Sequence, residues 1–185
     1  MGLWFYISTL FFVILVIMKD NPFPIPVPYK CDVTPLIGGY FYDELLKSID
    51  DSKISIYCVQ YQWKWNVHDR HSRVQRLGNS IIRAVNRNVD VNVILNLENP
   101  KANITRINQV SCNALVRGGV KAKLLKVSGL VHTKLWVLDT RFVFVGSHNI
   151  SGRSLGINEE VSVKIDSVDM AKFMKEYFAV LWNIR

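Results

Sequence analysis

The chain has 185 residues, of which 49% are hydrophobic and 11% are aromatic. This composition excludes a largely disordered chain, and the length suits one domain with an appended segment. The formal net charge of +8 indicates an anionic partner, either nucleic acid or an anionic membrane face, with a basic surface that serves only solubility as the alternative.

The positive charge is concentrated between Lys64 and Lys126, where 12 basic residues stand against 3 acidic ones, a surplus of nine.

The cysteines are odd in number and far apart in sequence, at Cys31, Cys58 and Cys112. They form no C-x-x-C pair, so the sequence predicts neither a disulfide framework nor a four-ligand zinc site. We expect buried or incidental thiols, and no metal or other cofactor.

Residues 1–18 form an uncharged, mainly apolar run that ends at Lys19. As a helix the run would be roughly 27 Å long at 1.5 Å per residue, the lower edge of a membrane span. A cleaved signal peptide is the rival, but no basic residue precedes the run and no small-residue cleavage site follows it. We therefore predict a retained transmembrane anchor. Basic residues follow the run, at Lys19 and Lys30, which favours a cytoplasmic-facing domain.

Residues 19–29 form a proline-rich linker, with proline at every second position from Pro22 to Pro28. Each ring fixes φ and biases the preceding residue toward extended geometry, so the segment is typical of a semi-rigid spacer. The folded domain is therefore predicted to span residues 30–185.

Hydrophobic periodicity divides this domain into helices and strands. Apolar residues at helical spacing predict helices over residues 40–49, 73–87, 104–116 and 168–182. Short β-branched or alternating runs predict strands over residues 53–59, 91–95, 120–127, 132–138, 142–145 and 160–165. Early strands joined by helices imply parallel neighbours, and the short turn at residues 139–141 implies an antiparallel hairpin. The fold class is therefore α/β, a mixed sheet flanked by helices.

Polar side chains cluster around the predicted hairpin. On a strand, residues two apart share a face, so His132 and Lys134 project together. Asp139 has the other parity. It is therefore predicted to order the hairpin or to hold another residue of the site, and not to contact the substrate. The second hairpin strand ends in Gly146 and Ser147, followed by Asn149. Glycine allows close backbone approach, and Ser147 and Asn149 offer donors to an anionic oxygen.

This set of side chains suits a phosphate ester. Lysine supplies charge, Asn149 and Ser147 orient oxygens, and the imidazole of His132 can attack phosphorus or protonate a leaving group. Taken alone, a histidine on a strand is more often a surface or core residue. As a set, the residues indicate a catalytic site.

The same residues resemble the motif of the phospholipase D superfamily, H-x-K-x-x-x-x-D followed by G-S-x-N and N-x-E. The motif is met by His132, Lys134, Asp139, Gly146, Ser147, Asn149, Asn158 and Glu160. One copy is present, as in the small single-motif branch, which includes bacterial endonucleases and a mitochondrial cardiolipin hydrolase.

The resemblance implies a phospholipase D-like fold and a homodimer that shares one active site. One His132 would form a phosphohistidine and its partner's copy would protonate the leaving oxygen, without a metal. Glu160 would hydrogen-bond His132, with Glu159 as the alternative carboxylate.

Three functions remain open. The first is an endonuclease on single-stranded nucleic acid, with Trp63 and Trp65 stacking on bases. For these two residues a place in the core or at a membrane interface is the alternative. The second is a membrane phospholipase or cardiolipin hydrolase, whose basic surface binds anionic phospholipid. The third is a non-catalytic, membrane-tethered module that binds polyanions.

Overall fold

The computed structural model of the protein describes residues 25–66 and 68–184. The predicted anchor over residues 1–18 and the first part of the predicted linker therefore lie outside the described residues. Within the described part of the chain, no helix is both long and apolar enough to cross a membrane.

The described residues form a sheet of seven strands with four helices. The helices are α1 (Gly39–Asp51), α2 (Arg73–Asn86), α3 (Asn103–Arg117) and α4 (Val168–Asn183). The strands are β1 (Asp32–Ile37), β2 (Ser55–Gln60), β3 (Asp90–Asn96), β4 (Lys121–Leu125), β5 (Lys134–Leu138), β6 (Phe142–Gly146) and β7 (Val161–Asp166).

The strand order across the sheet is β1-β7-β6-β5-β2-β3-β4. Strands β2, β3 and β4 pair in parallel, because α2 and α3 return the chain to the same edge each time. The other pairs, including the β5–β6 hairpin, are antiparallel. The predicted mixed sheet flanked by helices is confirmed.

Strand β1 was not predicted. It pairs antiparallel with β7 at the edge of the sheet, and only Leu36 of its residues is buried. Pro35 interrupts its sequence, and proline is tolerated in strands mainly at such edges. The hydrophobic alternation used to predict strands is therefore missing here, since an edge strand has little apolar surface to bury.

Two apolar layers cover the two faces of the sheet. Helices α1, α2 and α3 pack on one face, around buried Trp136 and Phe144. Helix α4 packs on the other face, where Phe178 and Leu181 contact the alternate residues of the central strands. Along β5 the even-numbered residues face the three helices and the odd-numbered residues face α4, as the period of two requires.

The hairpin turn is held by Asp139. Its carboxylate accepts hydrogen bonds from the backbone N–H groups of Lys53, Ile54 and Ser55 at 2.8–3.0 Å. Asp139 and Thr140 both have positive φ, 52° and 53°, which matches the left-handed conformation of a two-residue hairpin turn. Asp139 thus fixes β5 to the start of β2, at the opposite end of β5 from His132.

We predict that Asp139→Ala lowers the free energy of unfolding by about 2 kcal/mol, because backbone donors lose a charged acceptor and alanine disfavours positive φ. Asp139→Asn is the matched control, since its side-chain oxygen can still accept from Ile54 and Ser55 and asparagine tolerates this φ. Urea unfolding followed by tryptophan fluorescence measures both. Equal stability of the Ala variant and the wild type would contradict this role.

Candidate active site

The candidate site lies at one end of the sheet, on the face covered by α1, α2 and α3. Gln60 of β2 is directly opposite Lys134 of β5, and Gly146 of β6 is directly opposite Ser162 of β7. The β5–β6 register continues to place Gly146 beside Lys134. These four residues therefore form one row across four adjacent strands.

His132 and Lys134 meet beside this row, at the start of β5. His132 is exposed and lies just before β5, whereas the Lys134 side chain is almost entirely buried, with 9% of the residue exposed. Lys134 Nζ lies 3.1 Å from Nδ1 and 3.3 Å from Nε2 of His132, and it donates to the His132 carbonyl at 2.7 Å. The imidazole packs against the ring of Tyr61, with centroids 4.5 Å apart.

The environment favours a neutral imidazole. Partial burial lowers the pKa of His132 below its ordinary value of 6.5, and the charge of Lys134 lowers that pKa further. Burial also lowers the pKa of Lys134, while the negative charge of Glu160 opposes this shift. A neutral imidazole beside a cation is the protonation state that a nucleophilic histidine requires.

Gly146 is the last residue of β6, and Ser147 and Asn149 lie just beyond it. A Cβ at Gly146 would lie 2.4 Å from Ser162 Cα, so the glycine permits the close approach of β6 to β7. Its predicted role in substrate binding stays a prediction. Ser147 is exposed. The side-chain oxygen of Asn149 is buried without a hydrogen-bond partner among the described residues.

Glu160, rather than Glu159, is the carboxylate of the site. Glu159 is exposed, whereas Glu160 accepts hydrogen bonds from Ser147 Oγ, from Ser154 Oγ at 2.8 Å and from Asn158 Nδ2 at 3.3 Å. These bonds lower the pKa of Glu160 against the opposing effect of burial. Among the described residues, no hydrogen bond joins Glu160 to His132.

Sequence reasoning missed His148 and Ser154. His148 is fully buried, stacks on Phe41 at 4.1 Å between ring centroids, and lies 3.1 Å from the carbonyl of Gly38 through Nε2. Burial lowers its pKa, so it supports the site in its neutral form. Ser154 Oγ accepts from the backbone of Asn149 at 2.9 Å while it donates to Glu160. No spacing rule links these two positions to the motif.

Gln60 was also missed. Its side chain is fully buried in the row beside Lys134, and both atoms of its amide lack a hydrogen-bond partner in the described chain. An unpaired buried polar group costs about 1–3 kcal/mol, so such groups need an explanation such as a missing ligand or water. The signal available in the sequence was its position at the end of a predicted strand.

The prediction that Trp63 and Trp65 stack on bases is wrong. Trp63 is fully buried and Trp65 is 9% exposed, so neither ring is presented to a ligand. Trp63 packs on Trp136 with ring centroids 5.7 Å apart, and a Cβ at Gly78 would overlap the ring of Trp65 at 1.9 Å. The two side chains serve the core, the alternative considered above, because the segment that carries them folds against α2 and α3.

The described residues contain no group of three or more His, Cys, Asp or Glu side chains arranged to hold a metal ion. Cys58 and Cys112 are buried free thiols, and burial raises the pKa of each. The arrangement instead offers a histidine, a lysine, an amide and hydroxyl groups around one space at the end of the sheet. Such a set can bind a phosphate ester and attack it.

Comparison with known proteins gives relatives in agreement with this chemistry. Cardiolipin synthase A from Yersinia pseudotuberculosis serotype O:3 is 31% identical over 117 residues, which is 57% of this chain and 24% of that protein. Cardiolipin synthase A from Yersinia pestis is 31% identical over 104 residues, 54% of this chain and 21% of that protein. The match thus spans less than a quarter of the length of these relatives.

Two solved structures share the fold over most of the domain. The phospholipase D family member Nuc from Salmonella typhimurium has a TM-score of 0.68 at 20% identity, covering 82% of this chain and 95% of its own. NucT from Helicobacter pylori has a TM-score of 0.63 at 19% identity, covering 83% and 96%. The family model of the cardiolipin synthase phospholipase D-like domain matches residues 45–182. Since that match covers well over half of the sequence, the chain belongs to the family of phospholipase D-like domains.

Proposed function

We propose that the protein is a metal-independent phosphodiesterase that works through a phosphohistidine at a homodimer interface, and that it cleaves single-stranded nucleic acid. The observation that carries the proposal is the pair of His132 and Lys134, in which an exposed imidazole with a lowered pKa lies 3.1 Å from the ammonium group of a buried lysine. The pair combines a nucleophile with a fixed positive charge for the phosphate oxygens.

The reaction has two displacements. In the first, the neutral imidazole of one His132 attacks phosphorus, a P–N bond forms, and the P–O bond to the leaving group breaks. The protonated imidazole of the second His132 gives its proton to the leaving oxygen. In the second, that imidazole removes a proton from water, the water oxygen attacks phosphorus, and the P–N bond breaks. Lys134 stabilises the negative oxygens in both steps.

A dimer follows from the number of groups that the reaction uses. One chain supplies a single His132, but each displacement needs a nucleophile or leaving imidazole and an acid or base at the same time. Two copies of the end of β5, brought together across a two-fold axis, would supply both. We propose that this symmetric contact completes the site.

The charge distribution supports nucleic acid as the substrate. The segment from Lys64 to Lys126 carries a surplus of nine positive charges, which would attract a polyanionic backbone in a salt-dependent manner. An anionic phospholipid is the second candidate, and the similarity to cardiolipin synthase A favours it. Under either proposal, residues 1–18 would anchor the domain at the cytoplasmic face of a membrane.

One assay on the full-length chain in nonionic detergent with EDTA distinguishes the candidates. We expect cleavage of single-stranded DNA or RNA, and no release of headgroup from cardiolipin or phosphatidylglycerol. Release of headgroup without cleavage of nucleic acid would establish the phospholipase. Binding of polyanions without turnover would leave the non-catalytic module, and activity that EDTA abolishes would contradict the metal-free mechanism.

We predict that His132→Asn lowers kcat on bis(4-nitrophenyl) phosphate by at least about 10³-fold, since it removes both the nucleophile and the acid. His71→Asn, an exposed histidine outside the site, is the matched control and should retain activity. Circular dichroism checks that both variants fold. Retention of activity in His132→Asn would contradict the mechanism.

We predict that activity depends on both copies of His132. If wild-type and His132→Asn chains are unfolded together and refolded at varied ratios, mixed dimers form. A site that needs two imidazoles then gives activity proportional to the square of the wild-type fraction. Two independent sites would give a linear dependence, which would contradict the shared site. Refolding with His71→Asn chains provides the control for recovery.

We predict that Lys134→Met raises the pKa of His132, because it removes the neighbouring positive charge that helps to lower this pKa. The neutral, nucleophilic form is lost as pH falls through this pKa, so the variant should lose it at higher pH than the wild type. An NMR titration of the His132 ring protons measures the shift. Lys172→Met, which changes an exposed lysine on α4, should leave the titration unchanged.

A further inference from the structure

The two longest connections of the domain line a cleft, and the same connections carry Tyr61 and Asn149. The connection from β2 to α2 spans residues 61–72, whereas the equivalent one from β3 to α3 spans only residues 97–102. Connections between a strand and a helix usually have about 2–6 residues, and longer ones are often functional. The second long connection, residues 147–160, joins β6 to β7 and carries Ser147 and Asn149.

Backbone hydrogen bonds fasten these connections together beside the site. Lys64 N donates to the Ile150 carbonyl at 2.7 Å, and Ile150 N donates to the Gln62 carbonyl at 3.0 Å. Tyr61 N donates to the Thr133 carbonyl at 3.0 Å, between the two catalytic residues. Gln62, which lines the cleft, therefore directly follows the residue whose ring packs on His132.

The cleft has a volume of about 580 Å³, within the range of about 300–1,000 Å³ that is usual for ligand sites. Its lining combines two exposed cations, Lys64 and Arg153, with amide and hydroxyl side chains and the exposed Ile157. Asp69 is the acidic residue of the lining. Ser72, the N-cap of α2, also lines it, and the first turn of that helix has no acidic side chain, so the helix end adds partial positive charge.

We propose that this cleft holds the nucleotide adjacent to the scissile phosphate, with Lys64 and Arg153 on the flanking phosphates. The amides of Gln62 and Asn66 offer donors and acceptors suited to a base edge, and Ile157 offers an apolar surface to a base face. Val74 and Ile157 are the apolar side chains of the lining, fewer than its polar and charged ones. This inference rests on the proposed function and adds the strand path and the residues that select the substrate.

The test is a double variant, Lys64→Ala with Arg153→Ala, in the full-length protein. We expect KM for a fluorescent single-stranded oligonucleotide to rise at least about tenfold, with kcat and the hydrolysis of bis(4-nitrophenyl) phosphate unchanged. The slope of log KM against log salt should decrease by about 1.4, roughly 0.7 for each lost phosphate contact. Lys47→Ala with Lys172→Ala removes equal charge from exposed positions on α1 and α4, and should change neither quantity.

Three outcomes would overturn the proposal: an unchanged KM and salt slope, an equal effect of the control pair, or loss of bis(4-nitrophenyl) phosphate hydrolysis in the cleft variant. Binding of the same oligonucleotide by fluorescence anisotropy, in the His132→Asn background, separates this proposal from the proposed function. If the wild type cleaves nothing but binds the oligonucleotide through Lys64 and Arg153, the nuclease fails and the cleft stands. Saturable binding to phosphatidylglycerol vesicles through these residues, without oligonucleotide binding, would make the cleft a headgroup site.

Discussion

The site depends on keeping Lys134, of which only 9% is exposed, buried at the end of β5. Burial of an unpaired charge is costly, so the surroundings must compensate it. The Lys134 ammonium donates to the His132 carbonyl at 2.7 Å, lies 5.1 Å from the centre of the Tyr61 ring, and is within the field of Glu160. These groups belong to three different connections. The charge of Lys134 is therefore accommodated only where the three connections lie together at the end of the sheet.

The site also depends on a close contact between β6 and β7. Gly146 lies beside Lys134 in the row, and its missing side chain lets β6 approach β7 closely enough for Ser162 to reach the buried His148. His148 in turn reaches the Gly38 carbonyl and so connects the G-S-x-N segment to the start of α1. Ser162, His148 and Gly38 therefore support this end of the sheet through hydrogen bonds.

The sequence predicted the helices, the mixed sheet and the meeting of His132 with Lys134, because these depend on local periodicity and strand parity. It missed β1, whose exposed side chains carry no hydrophobic alternation. It also misassigned Trp63 and Trp65, since burial of a loop depends on distant partners. Asn108 and Ser111 of α3 accept hydrogen bonds from the backbone N–H groups of Trp63 and Trp65. No local sequence pattern predicts such contacts.

The burial of Trp63 and Trp65 divides the 61–72 connection into a part that packs in the core and an exposed part. The two rings fix the start of the 61–72 connection to the core, so that residues 66 and 68–72 lie beyond a buried attachment point. Residues 66 and 68–72 are exposed or partly exposed and can be exchanged with little loss of core packing. If the cleft binds the substrate as proposed, mutation of this segment alone could change selectivity while His132 and Lys134 are retained.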